Sequence, residues 1–194
     1  MINTMSVTHR TGNTNFRASA HEQKDEGVMP GLDGYTRRGM RLNVDHRIGR
    51  SFDFSASAYY SQSTRDGDGE GFFSLQFYPI DVDLTELEPT DQRRDSVDYL
   101  IQPDPWVMEE NPLYQSQNED QTNVRGRMLG SVGVRWRPTD FFDLESQLSF
   151  DRSDRNNTWY WFKGYKTLGV STLNDGRFQQ ENEHNQALNA SISA

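Results

Sequence analysis

The densest set of potential cation ligands is Asp66-Gly67-Asp68-Gly69-Glu70-Gly71, with carboxylates at alternate positions and glycine sixth. Calcium loops begin this way, because a hard cation needs several oxygens held around a sharp turn. The twelfth position is Phe77, where such a loop requires a bidentate Glu. The EF-hand reading therefore fails, and a solvated acidic loop is the better account. His9, His21, His46 and His184 are scattered without metal-ligand spacing. No Ser/His/Asp grouping and no glycine-rich phosphate cradle is present. Glu109-Glu110 lies among many other carboxylates, so it singles out no general acid. The expectation is a protein that is not an enzyme, with no catalytic residue, metal or cofactor.

Aromatic side chains are the stronger signal. Trp159-Tyr160-Trp161-Phe162 suits either an aromatic belt at a membrane interface or a stacking surface for sugar rings. The belt is the favoured reading of the two. Trp106 and Tyr114 continue no strand pattern, which makes them candidate ligand contacts. The substrate-binding set is thus Trp106, Tyr114, Trp159, Tyr160 and Trp161.

The elements that position these residues follow from charge and periodicity. From Thr64 to Thr122 there are 15 acidic and 3 basic residues, a net of −12, and five of the seven prolines. Proline at that density is excluded from central strands, so 64–122 reads as one long loop without a packed core. A loop this long is usually functional or disordered. Phe72, Phe73, Leu75, Phe77 and Tyr78 make it too apolar for a free tail; the expectation is that it contacts a neutral or cationic ligand, and that its field disfavours strongly anionic substrates. The acidic excess also argues against nucleic acid as a partner.

On either side the period is two, as in half-buried strands. Met40, Leu42, Val44 and Ile48 alternate with Arg37, Arg41, Asn43, Asp45 and Arg47. After Gly49-Arg50-Ser51, Phe52, Phe54, Ala56, Ala58 and Tyr60 alternate with polar residues. Val124, Met128, Val132, Val134 and Trp136 repeat the pattern, then Phe142, Leu144, Leu148 and Phe150 beyond Pro138-Thr139-Asp140. Weaker alternation surrounds Phe16 and Leu188. About seven strands result, in an all-β, antiparallel up-and-down meander. Short turns at 11–14, 49–51 and 138–140 alternate with long links at 24–34, 64–122 and about 153–182.

Long links at one end and short turns at the other are the pattern of outer-membrane barrels. No run of 18 apolar residues allows a transmembrane helix. Mean hydropathy is −0.90, yet 12% of residues are aromatic, which disordered chains lack. A sheet with one apolar and one wet face satisfies both values. Cysteine is absent, compatible with an oxidising envelope. The alternative is a soluble or surface β-sheet module that grips carbohydrate through loop aromatics. In a barrel the apolar face meets lipid, and in a module it meets a second sheet.

Phe16-Arg17-Ala18-Ser19-Ala20, Glu26-Gly27-Val28-Met29-Pro30, Tyr35-Thr36-Arg37-Arg38 and Arg41-Leu42-Asn43-Val44-Asp45-His46 follow one another in an order that resembles the early barrel of SusC/RagA-like TonB-dependent transporters. Asn111-Pro112-Leu113-Tyr114 and Arg127-Met128-Leu129-Gly130-Ser131 are similar to its continuation. The resemblance implies a segment of a partial transmembrane β-barrel in the bacterial outer membrane, with 64–122 extracellular. It implies active uptake of glycans or peptides with a SusD-like surface lipoprotein, and coupling to the TonB complex through an N-terminal part outside these residues. No signal peptide, plug domain or closing strand is recognisable, so residues 1–194 read as an interior fragment.

Overall fold

The computed structural model describes residues 1–27, 32–67, 70–88, 98–170 and 174–194. Val28, Met29 and Pro30 of the family-like stretch, and Asp68 and Gly69 of the calcium-like run, lie outside the described residues. Seven strands form one sheet: β1 (Ile2–Thr11), β2 (Thr14–Asp25), β3 (Tyr35–Ile48), β4 (Phe52–Asp66), β5 (Glu119–Thr139), β6 (Phe142–Trp161) and β7 (Arg177–Ser193). Their order is sequential and every pairing is antiparallel, so the all-β meander expected from periodicity is the fold. The sheet is open, with β1 and β7 as its edges.

Turn chemistry sets the register at one end. Gly49 takes φ +65°, a left-handed value that a side chain rarely tolerates, between Ile48 and its partner Phe52. Between β5 and β6 the register shifts from Trp136 to Thr139. Pro138 lies in that irregularity, where its missing N–H costs no ladder bond. The β5–β6 turn is therefore Asp140-Phe141 rather than 138–140.

Pairing stacks the apolar residues into one field. Met40 opposes Tyr60, and Tyr60 opposes Met128; eight positions along, Ile48 opposes Phe52, and Phe52 opposes Trp136. Between those rows lie Leu42, Val44, Ala56, Ala58, Val132 and Val134 on the same face. Eight steps of about 3.4 Å span about 27 Å of strand. No second sheet covers this face among the described residues, and Met40 stays 62% and Val132 44% exposed.

The buried apolar side chains lie in the links instead: Val107, Leu113, Tyr114 and Tyr165. The 64–122 segment thus contributes to a packed core, contrary to expectation. Two short helices, α1 (Glu70–Leu75) and α2 (Pro112–Asn118), belong to it. Asn111 caps α2 by accepting the Leu113 N–H at 3.0 Å, while its side-chain amide donates to the Leu84 and Leu100 carbonyls at 2.8 and 2.9 Å. One asparagine so holds three parts of the link together, which composition does not reveal. The long links are also shorter than expected: 67–118 between β4 and β5, and 162–176 between β6 and β7.

Candidate functional site

The face opposite the apolar field is polar, and its two ends differ. Near the short turns its charges are balanced. Asp53 accepts from Arg47 at 2.8 Å and also from Arg137, and Arg135 pairs with Asp143. Exposed pairs of this kind contribute little to stability, so they serve chiefly to neutralise the surface.

Toward the long links the same face is rich in arginine. Arg37, Ser63, Arg125 and Arg155 form one row across β3 to β6, and Arg41 opposes Tyr59 two rows below. Tyr59 organises the middle of this region. Its hydroxyl accepts from Arg37 at 3.0 Å, the Arg41 guanidinium lies 5.1 Å from its ring centre, and His21 stacks on it at 6.3 Å. Gly39 makes room for that stack, since a Cβ there would meet His21 Cε1 at 2.3 Å. Arg127 engages Asp151 in a fork, at 3.2 and 2.8 Å. Among the described residues Arg37, Arg41, Arg125 and Arg155 have no carboxylate in ion-pair range.

The expected aromatic contacts separate into three environments. Trp159 and Trp161 share the arginine face, opposite Gln121 and Glu119. Arg177 lies 5.0 Å from the Trp161 ring centre, whereas no ring or cation covers Trp159 among the described residues. Tyr160 points to the other face and packs edge-on against Phe162 at 5.0 Å. It lies eight residues beyond Arg152, which opposes Met128 at the limit of the apolar field. The 159–162 cluster therefore does not border that field. The aromatic group that does border it is Phe52, Trp136 and Phe142, with ring centres 5.8 and 6.3 Å apart at the short-turn end. Their alternation was legible in the sequence, but their adjacency depends on register.

Trp106 is 91% exposed at the tip of a turn in which its N–H donates to Asp104 at 2.9 Å. It remains free to meet a ligand. Tyr114 does not, being 1% exposed. Its hydroxyl accepts the Lys166 N–H at 2.6 Å, and its ring leans on Tyr165. The Tyr165 hydroxyl donates to Glu110, whose other oxygen accepts the Leu168 N–H at 3.2 Å. Burial and the nearby Glu110 carboxylate push the Tyr165 hydroxyl well above the usual tyrosine range. Tyr114 thus joins the 67–118 and 162–176 links rather than presenting a ligand surface.

No metal-holding group of three or more His, Asp or Glu occurs among the described residues. No protein-family model and no curated protein is similar to this chain.

Proposed function

We propose that this chain is a section of barrel wall from a TonB-dependent outer-membrane transporter of the SusC/RagA kind. It serves active uptake of glycans or peptides in the bacterial outer membrane. In this reading the apolar field faces lipid and the arginine face lines the lumen. The 67–118 and 162–176 links stand at the extracellular mouth beside a SusD-like lipoprotein. Energy comes from the TonB complex through a part of the protein outside these residues.

The observation that carries the reading is the apolar field. It has the same extent on β3, β4 and β5, at 40–48, 52–60 and 128–136. At the tilt of such barrels, about 40°, its strand length of about 27 Å would rise about 21 Å, close to their apolar band of about 25 Å. Leaving it in water would forgo about 1.5–3 kcal/mol for each large side chain otherwise buried. Hydrocarbon removes that cost without a second sheet. The exposed Trp106 favours carbohydrate contact at the mouth, as the surface-module alternative also holds, but that alternative leaves the apolar field uncovered.

The test uses nitroxide labels at Val132→Cys and Ser131→Cys in the complete gene product reconstituted in lipid. The label at 132 should be relaxed by oxygen, which partitions into hydrocarbon, and the label at 131 by a water-soluble nickel complex. Equal access to the nickel complex at both positions would remove the lipid-facing assignment.

A further inference from the structure

We infer that the polar face of β5 and β6 between Trp159 and Arg125 is a binding lane for an oligosaccharide that carries carboxylate groups. The inference rests on the uptake reading for its biological purpose and narrows the substrate to acidic glycans.

The first observation is a like-charge pair. Arg125 and Arg155 stand directly opposite each other in adjacent antiparallel strands, and Arg37 lies in the same row. Like charges in that position destabilise a sheet. The short-turn end of the same face shows a different solution, with Asp53 and Asp143 placed to neutralise its arginines. At the upper row the nearest carboxylate across the ladder is Glu183, opposite Arg155, and its Oε1 accepts from Asn185 at 2.7 Å. Arg155 instead donates to the Asn157 side-chain oxygen at 3.2 Å. Paired positions on adjacent strands have Cβ atoms about 5 Å apart, so both guanidinium groups can reach one bound carboxylate of opposite sign.

The second observation identifies the rest of the ligand. Trp159 lies four residues from Arg155 on the same face of β6, about 13 Å along the strand. Its half-buried indole carries no stacked ring or cation among the described residues, and the exposed part offers a flat apolar surface on which a pyranose ring stacks. Between the two sites Asn123 and Asn157 pair across the strands, and Asn157 also donates to Glu181 at 3.4 Å. A peptide is less well served. β5 and β6 are interior strands with both edges paired, so no free backbone is available for strand addition.

The acidic 67–118 link does not cancel this field. Arg155 lies six residues, about 20 Å, below Trp161 at the end of β6, against a screening length of about 8 Å at physiological salt. The link opposes anions at the mouth, while the arginines act deeper on the sheet.

The experiment measures binding by calorimetry to the complete gene product in detergent micelles. The probes are a galacturonate hexamer, an uncharged galactose hexamer and a hexaglutamate peptide. Saturable binding of the uronate is expected, at least tenfold tighter than either comparator. Arg125→Gln with Arg155→Gln should weaken it by about 10–100-fold, the loss of a charge-assisted fork. Trp159→Ala should weaken it as well, and Arg47→Gln at the balanced end should leave it unchanged. Heat-modifiable mobility on gels confirms that each variant remains folded, and Arg125→Lys with Arg155→Lys should retain part of the affinity that the Gln pair loses. No uronate binding, equal binding of either comparator, or an unaffected Gln pair would overturn the inference. Failure of the uptake reading looks different: uronate binding would persist in a protein that is absent from the outer membrane.

Discussion

The ring centre of Tyr114 lies 5.6 Å from that of Tyr165, and this contact ties together two links that are remote in sequence. Tyr114→Ala would remove the ring and leave a cavity between them. We expect a loss of about 3–5 kcal/mol from the stability of the loop cluster, the usual cost of truncating a buried aromatic. Tyr114→Phe keeps the packing but leaves the Lys166 N–H without its acceptor, a loss of about 1–3 kcal/mol. Hydrogen exchange should show faster exchange at 98–118 and 162–170 in that order of severity, with amides of β3 to β5 unchanged. Uniform loss of protection across the sheet would show that the cluster is not a separate unit.

The same cluster should be sensitive to alkali. Burial and the surrounding Asp104, Glu109 and Glu110 carboxylates push Tyr78 from 10.0 up to about 12, and Tyr165 is raised further. A folded-state value above the unfolded one means that the unfolded chain releases its proton first. The contribution of these tyrosines is therefore complete below about pH 10 and declines as pH rises from there through their folded values. Protease resistance of the 67–118 link should hold to about pH 10 and fall by pH 12, with Tyr78→Phe and Tyr165→Phe flattening the decline.

What could be read from the sequence was whatever alternates. Met40 to Ile48 and Phe52 to Tyr60 have one apolar and one polar face, so both the strands and their sides were apparent. The far halves of β5 and β6 were not, because they are polar on both faces. Asn156, Asn157 and Thr158 fell within the long link expected at about 153–182, yet Asn156 donates to Asn182 of β7 at 2.5 Å within a continuous ladder. Backbone pairing extends these strands where side-chain periodicity stops. Tyr114 was misassigned for a related reason, since its burial depends on Asn111, Lys166 and Tyr165 from three separate stretches. The arginine row was present as single residues, but only the register brings Arg37, Arg125 and Arg155 into line.

Trp136 stacks on Phe52 and meets Phe142 edge-on at the limit of the apolar field. In the outer-membrane reading this group is the interfacial girdle on the short-turn side. Brominated lipids should therefore quench Trp136 fluorescence when the bromine sits near the headgroups. Trp106, Trp159 and Trp161 should be insensitive at every bromine depth. The comparison is the quenching lost on Trp136→Phe relative to Trp159→Phe. Greater loss at 159 would return the girdle to the other end of β6.

The sharpest prediction contrasts two adjacent residues. Val132 lies in the middle row of the apolar field, between Ala56 and Leu148, whereas Ser131 faces the polar side beside Ser57, at 2.7 Å from its hydroxyl. An arginine at the lipid midplane costs about 2–4 kcal/mol in such barrels. An arginine on the wet face meets water and neighbouring hydroxyls. Val132→Arg should therefore lower stability in lipid vesicles by that amount, measured by urea unfolding of the complete gene product, while Ser131→Arg should stay within about 1 kcal/mol of the parent. In a protein whose apolar face packs on a second sheet, Val132→Arg would instead bury an unpaired charge and prevent folding in any medium. Folding of that variant with a modest deficit in lipid separates the two architectures.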